Sequence, residues 1–245
     1  MQAAESPLQS HIGLGWSTTA KLFVLAGPVG AYYATSGLQP ITLLADADFV
    51  RAFRGGTGST KMDCNYAPTI LISKIAAEHG CQQVLWLYGP EEEVTEVGTM
   101  NIFVLLTNED GEKELVTPSL ESGLILPGVT RQSLLDLARE WDEFKVSERT
   151  IRMDEICKAL KEERLHEVFG AGTACIVSPV NVIVHKKDGR TEKLLIPTME
   201  QSPCLMQRFF DSLTDIHYGR IAKPAWQRLV DTSNGRQNQL TTSMP

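Results

Sequence analysis

Cysteine, histidine and clustered positive charge are all scarce in this 245-residue chain, and each scarcity removes a class of reading. The five cysteines, Cys64, Cys81, Cys157, Cys175 and Cys204, are scattered, form no CxxC pair and are odd in number. That pattern fits a reducing compartment and not a disulfide-built scaffold. Five scattered histidines without paired ligand spacing argue against a structural zinc, so no metal is expected. Lysine and arginine number 23 against 30 aspartates and glutamates, a formal net charge of −7, and no basic run interrupts that balance. A nucleic-acid partner is therefore not expected. No apolar stretch approaches the ~20 residues of a membrane-spanning helix, so no membrane partner is expected either. Residues Met1 to Ile12 have neither the apolar core of a secretory signal nor the arginines of a transit peptide, and the default expectation is a cytoplasmic protein. A P-loop is also missing: it needs lysine directly after glycine, and Ser59 and Thr60 separate Gly58 from Lys61.

The remaining composition, 42% hydrophobic and 22% charged, is that of a chain able to bury a sizeable core. Residues 1–20 are polar and weakly patterned, and a loose start is expected. Leu22 to Ala26 reads as a short buried strand, and the glycines and prolines from Gly27 to Pro40 read as a linker. Ile41 to Ala45 is a second strand. Ala67 to His79 reads as a helix with Ile70, Leu71, Ile75 and Ala76 inward and Gly80 at its end. Gln83 to Tyr88 is a buried strand, and Ile102–Thr107 with Glu114–Thr117 form a hairpin around Asp110-Gly111. A helix after Thr130 turns Leu134, Leu135, Leu137 and Trp141 inward. A strand over Phe144–Ile151, a helix over Met153–Leu165, a glycine turn over Phe169–Cys175 and a strand over Ile176–Val184 follow. Asp188-Gly189 makes a second hairpin with Lys193–Ile196, and Leu205–Ile216 is a last helix. From Asp231 the chain is aperiodic, and a disordered tail over 231–245 is expected. The class is mixed α and β, with a sheet that is not purely parallel.

Four polar clusters fall at strand ends or helix starts: the glycine-rich run from Gly55 to Lys61 with Asn65-Tyr66 behind it, Thr95 to Asn101, Pro127 to Thr130, and Gly170 to Thr173. Glycines, small hydroxyl residues and backbone amides at helix starts suit a phosphate. Glu96 on a strand would be costly to bury without a cationic partner. A lysine, a carboxylate and two phosphate cradles are the parts a pyridoxal phosphate site needs. Taken singly, each has a plainer reading: Lys61 as an exposed lysine on a flexible turn, Glu96 as an exposed strand residue, Thr130 as a helix cap.

Six segments in collinear order decide between these readings. They are Lys61-Met62-x-x-Asn65-Tyr66, Gln83 to Gly89, Thr95 to Asn101, Leu126 to Arg131, Phe169 to Cys175 and Ile196 to Glu200. Together they make the stretch from about Leu22 to Gly219 resemble the branched-chain amino-acid aminotransferases, fold-type IV pyridoxal-phosphate enzymes. The resemblance implies an α+β large domain, a mixed sheet or pseudo-barrel with surrounding helices, over 41–230. It implies a remnant of a small N-terminal domain over 1–26 and an interdomain linker over 27–40. It implies pyridoxal 5′-phosphate as cofactor, amino acids and 2-oxo acids as small-molecule partners, and a homodimer. Lys61 matches the lysine that holds the cofactor and carries the catalytic proton. Tyr66 matches the tyrosine on the cofactor's phenolic oxygen, Glu96 the carboxylate on its ring nitrogen, and Arg51 an arginine close by. Val129, Thr130 and Thr173 match the phosphate site, and Tyr32, Thr99 and Ala174 the substrate region.

The departures are also specific. Most of a family N-terminal domain is not found ahead of Leu22, and Asp63-Cys64 stand where the family has a glycine pair. The family's mammalian CxxC is reduced to Cys175 and Ser178. The activity implied is transfer of the amino group of leucine, isoleucine or valine to 2-oxoglutarate. A catalytically impaired homologue acting by binding is the alternative those departures leave, with a mitochondrial location for a longer form. Another fold-type IV enzyme, a D-amino-acid aminotransferase or a lyase, fits Trp86 to Gly89 and Thr198 to Glu200 less well.

Overall fold

A computed structural model describes residues 2–8, 19–25, 27 and 38–228. The chain divides into two compact units, Met1–Ser36 and Gly37–Pro245. In the first, β1 (Gln2–Leu8) pairs antiparallel with β2 (Thr19–Leu25), Gln2 opposite Leu25 and Leu8 opposite Thr19. The start expected to be loose is thus a strand along 2–8. Its order comes from a backbone ladder, which needs no side-chain period to form. The strand expected near Leu22 is present, but not buried: Leu22 is 66% and Leu25 69% exposed. Most of the expected linker, with Tyr32, and the expected tail beyond Asp231 lie outside the described residues.

The second unit is built on one nine-stranded sheet. Its strands are β3 (Ile41–Asp46), β4 (Gln83–Tyr88), β5 (Glu93–Val97), β6 (Met100–Thr107), β7 (Lys113–Thr117), β8 (Lys145–Glu148), β9 (Leu165–Gly172), β10 (Ile176–Lys187) and β11 (Arg190–Leu195). Among the described residues four α-helices accompany them: α1 (Thr69–Glu78), α2 (Val129–Trp141), α3 (Met153–Lys161) and α4 (Leu205–His217). The pairs β10–β3, β3–β4 and β7–β8 are parallel and the other pairs antiparallel, so the sheet is mixed as expected. Strand β9 pairs with both β6 and β10 and closes β10-β3-β4-β5-β6-β9 into a barrel. Closure removes two sheet edges and leaves β4 and β6 covered on both faces, which is why their apolar runs are nearly continuous.

Local chemistry sets the corners. Asp188 (φ 50°) and Gly189 (φ 73°) both take the left-handed conformation that a two-residue hairpin turn requires. Helix α1 starts only at Thr69, behind Pro68. Its buried face is Ile72 and Ala76, whereas Ile70 and Leu71, expected inward, are exposed. The i, i+4 pair wins because β4 lies on that side. Helix α3 stops at Lys161, since Glu163 turns to φ 56°, and Leu165 already belongs to β9. Strand β8 is shorter than expected, four residues.

The glycine turn expected over 169–175 is a correction of a different kind. Gly170 and Gly172 lie inside β9. A Cβ on Gly170 would stand 2.9 Å from Met100 Cε and 2.9 Å from Val97 Cγ1, so the residue is small to let β6 approach. The turn itself is Thr173 to Cys175. The main core gathers Phe103, Phe169 and Phe209 under α2 and α4, with the Phe103 and Phe169 rings stacked at 5.4 Å. A second core puts Trp86 and Leu44 under Ile72 and Ala76 of α1.

Candidate active site

The run from Gly55 to Tyr66 has almost no regular structure, only a 3-10 turn over Asp63–Asn65, yet it is not a loose turn. Asn65 is buried and staples it: Nδ2 donates to Thr57 O (2.8 Å) and Thr60 O (2.7 Å), and Oδ1 accepts from Thr57 Oγ1 (2.8 Å). Gly58 is glycine for want of space, because a Cβ there would lie 2.5 Å from Ala52 Cβ and 2.8 Å from Leu124 O. The short turn then folds Tyr66 back so that Lys61 Nζ donates to Tyr66 Oη at 2.7 Å, 4.4 Å from the ring centre. Both side chains stand on the solvent side of this ordered loop. Asp63 is exposed, and its part in the loop is its carbonyl, which accepts from Tyr66 and Ala67 N–H.

Glu96 on β5 is buried, not exposed. Its Oε1 accepts the Leu126 N–H at 2.6 Å, and its Oε2 lies 3.2 Å from Arg51 Nε. That approach is an ion pair without a hydrogen bond: Arg51 Nε is buried and its N–H is not aimed at any acceptor. Burial pushes the Glu96 carboxyl up to about 7, against the pull of the Arg51 charge, the Leu126 N–H and the charge of Lys61. Lys61 and Glu96 therefore share one electrostatic neighbourhood. Arg51 links their scaffolds, since its other end donates to Gly58 O (2.9 Å) and Leu124 O.

Cross-strand pairing aligns Trp86, Glu96, Asn101 and Ala171 across β4, β5, β6 and β9. Asn101 Nδ2 donates to Leu126 O at 2.8 Å, so the segment before α2 runs beside this row. Gly128 caps α2, whose first backbone bond is Gln132 N–H to Gly128 O. The N–H groups of Val129 and Thr130 have no acceptor among the described residues, and the Val129 side chain is 79% exposed. A helix start with free N–H groups favours an anion. Thr99 sits exposed in the β5–β6 turn, and Thr173 and Ala174 sit exposed in the β9–β10 turn. Cys175 joins those turns, with Sγ 3.2 Å from Met100 Sδ, and burial raises its thiol to about 11.

The structure thus gathers Lys61, Tyr66, Glu96 and Arg51, with Val129 and Thr130 at the end of a segment bonded to Glu96. Thr99, Thr173 and Ala174 flank the same row of strands. Tyr32 lies outside the described residues. Asn65 and Asn101 stand in the quoted motifs but carried no role in the sequence, because a hydrogen bond to a distant carbonyl leaves no local pattern. Ile176, a β-branched residue at φ 63° directly after the β9–β10 turn, is a strained position that only coordinates can reveal. Elsewhere, a cavity of 510 Å³ lined by Glu92, Cys157, Lys161, His185, Lys187 and Arg190 contains none of these residues. Among the described residues no three His, Cys, Asp or Glu side chains group as metal ligands, and no helix is long and apolar enough to cross a membrane.

Comparison with known proteins adds a family, two relatives and two solved structures. The family model for amino-transferase class IV matches residues 22–183. The chain is 59% identical over 219 residues to the cytosolic branched-chain-amino-acid aminotransferase of Caenorhabditis elegans, covering 89% of this chain and 52% of that protein. It is 55% identical over 214 residues to the mitochondrial enzyme of Bos taurus, covering 87% of this chain and 53% of that one. The chain thus spans about half the length of the curated relatives it matches. Among solved structures, a branched-chain amino acid aminotransferase from Thermobaculum terrenum (M4 mutant) superposes with a TM-score of 0.63 at 23% identity, covering 83% of this chain and 59% of that one. A putative 4-amino-4-deoxychorismate lyase from Legionella pneumophila superposes at 0.60 and 19% identity, covering 87% and 68%. At such identities the likeness is one of fold.

Proposed function

The chain belongs to the class IV aminotransferase family, and from that premise we propose that it serves a branched-chain amino-acid transaminase that uses pyridoxal 5′-phosphate. The amino group of leucine, isoleucine or valine would pass to 2-oxoglutarate. The observation that carries this reading is the Lys61 Nζ–Tyr66 Oη bond within electrostatic reach of a buried Glu96. The donor set fits the cofactor. A solvent-side amine is available for its aldehyde and a phenol for its ring oxygen. Glu96, burdened by burial and paired only side-on with Arg51, would gain a full partner in a protonated ring nitrogen.

When bound, the cofactor supplies an electron sink for the substrate α-carbon. Lys61 Nζ would hold it and, once displaced by the substrate's amine, would carry the proton to and from that carbon. Tyr66 Oη, accepting from Nζ, aims the amine. Glu96 keeps the ring nitrogen protonated, and Arg51 fixes both Glu96 and the carbonyl of Gly58, so the two ends of the site keep their spacing. The free N–H groups of Val129 and Thr130, with Thr173, receive the phosphate. Thr99, Ala174 and Tyr32 would border the substrate.

On the same reading, residues 41–230 are the cofactor-binding domain, 27–40 a linker and 1–26 part of a smaller domain. The assembly is a homodimer, and the location is the cytoplasm, with mitochondria the alternative, as in relatives of both names. The test is direct. Protein mixed with pyridoxal 5′-phosphate should show a visible absorbance band, and borohydride should fix the cofactor on Lys61 in peptide mapping. Labelling of another lysine with Lys61 unmodified refutes the assignment.

A further inference from the structure

We propose that Asn101 is a positioning residue that fixes the phosphate-receiving start of α2 to the strands carrying Glu96. The inference rests on the reading that the Val129 and Thr130 N–H groups receive the phosphate. Asn101 itself touches neither of them. It acts on Leu126, whose two backbone polar groups are both taken by side chains of one cross-strand pair. Glu96 and Asn101 face each other in the β5–β6 ladder. Glu96 Oε1 takes the Leu126 N–H at 2.6 Å, and Asn101 Nδ2 gives to the Leu126 carbonyl at 2.8 Å. Leu126 is therefore held as an added ladder residue would be, except that side chains replace the neighbouring backbone.

The clamp extends past Pro127, whose ring fixes φ and which has no N–H to offer elsewhere. A Cβ on Gly128 would lie 2.2 Å from Asn101 Oδ1, so the Asn101 amide also closes on the residue that caps α2. Gly128 has φ −69°, a conformation open to any residue, so glycine is needed here for room beside Asn101 and not for backbone freedom. The first free N–H groups of α2 come immediately after. One amide thus sets the spacing between the carboxylate meant for the ring nitrogen and the amides meant for the phosphate. Asn101 and Glu96 are buried and Leu126 half-buried, so both bonds are partly shielded from competing water.

The experiment compares the wild-type chain with Asn101→Ala, with Asn101→Asp (same shape, an oxygen facing the Leu126 carbonyl in place of the donor) and with Gly128→Ala, which pushes the amide aside. Equilibrium dialysis of pyridoxal 5′-phosphate and of pyridoxal gives the preference for the phosphorylated form. That preference should fall roughly ten- to a hundredfold in each variant, the scale of one charge-assisted hydrogen bond, while pyridoxal affinity holds within about threefold. Hydrogen exchange on ligand-free protein should show the Leu126 and Gln132 amides, the two hydrogen-bonded N–H groups that flank the helix start, exchanging at least about tenfold faster, with the β5–β6 ladder unchanged. The double variant Asn101→Ala/Gly128→Ala should be no worse than either single, since both remove one clamp. If Asn101→Ala does not fold, the other two variants carry the comparison. Equal loss of both cofactor forms, or unchanged exchange at Leu126 and Gln132, overturns the role of Asn101. If the wild type prefers the phosphorylated form and the variants keep that preference, only this inference falls. If the wild type binds neither form, the cofactor reading falls and takes this one with it.

Discussion

From Gly55 to Tyr66 the chain is largely exposed, nearly free of regular structure, and shaped by one buried amide, that of Asn65. From Glu93 to Val97 it is a ladder-paired strand in which Glu96 is 3% exposed. The two stretches carry the two groups the proposed chemistry needs, and their scaffolds suit what each must do. An amine that takes up and releases a proton and a covalent partner needs access to solvent and side-chain freedom. A carboxylate that must pair with one cation needs the opposite, a buried, ladder-held site where water screens the pair little. Function placed on the loop should therefore be separable from stability, and function placed on the strand should not.

The sharpest break of that contrast is Lys61→Ala. Activity should fall by about 10²–10⁴-fold from loss of the proton carrier alone. As an exposed side chain, its loss should shift the melting temperature by no more than about 2 °C. Steady-state rates and a thermal melt check both, and a large loss of stability would mean that the loop depends on Lys61 as well as Asn65.

Next comes Glu96→Gln, expected to slow transamination by about 10²-fold or more. Unlike the lysine change it should also alter stability in a pH-dependent way. The folded-state value of Glu96, about 7, lies above its ordinary 4.5. The folded protein therefore holds the proton more tightly than the unfolded chain, and this contribution is present below pH 4.5 and lost as pH rises through 7. A shift of that size corresponds to about 3 kcal/mol. Ligand-free wild type should lose stability relative to Glu96→Gln between pH 5 and pH 8, in chemical denaturation at each pH. Parallel pH profiles would place Glu96 in a wetter site than the one described.

A smaller effect is expected of Asn65→Ala, which removes one of the two donors each to the carbonyls of Thr57 and Thr60 and leaves them only the Thr60 and Met62 N–H groups. The cost, about 1–3 kcal/mol, should be local to the loop. Limited proteolysis should cut between residues 55 and 66 in the variant while the barrel stays intact. Global unfolding in step with the loop would show that the two scaffolds are coupled more strongly than the contacts indicate. The smallest effect belongs to Asp63→Gly. An exposed carboxylate contributes under about 1 kcal/mol, so kcat/KM should change less than about fivefold. A larger change would revive the reading in which Asp63-Cys64 impairs the site.

The sequence made some of this legible and hid the rest for physical reasons. Strand β4 is bounded where its apolar run is, Gln83 to Tyr88, and both Asp-Gly corners, Asp110-Gly111 and Asp188-Gly189, are hairpins, because turn chemistry is local. The barrel is legible only through the resemblance, which implies a pseudo-barrel; which strands close it is not, since β9 bonds to β6 and β10 by backbone groups that every residue has. Gly170 and Gly172 misled for the same reason: glycine marks both a turn and a close approach, and only the position of Met100 tells which. At the site, Lys61, Tyr66 and Glu96 were visible as residue types and gained roles through resemblance. The buried Arg51–Glu96 pair and the amide clamps of Asn65 and Asn101 depend on contacts between segments far apart in the chain.

Trp86 stands opposite Glu96 in the β4–β5 ladder, almost fully buried, with its indole N–H given to Gly98 O at 2.8 Å. That arrangement makes the protein carry its own optical reporter. An indole held dry and fixed one strand away from the proposed ring position should emit at short wavelength and lose intensity when a ring absorbing in the near ultraviolet settles beside it. Trp226, 36% exposed, and Trp141, stacked on Phe209 and covered by Arg208, belong to other surroundings and supply an internal reference. Occupancy of the site could then be followed by emission alone, in unlabelled protein and in variants too slow to assay.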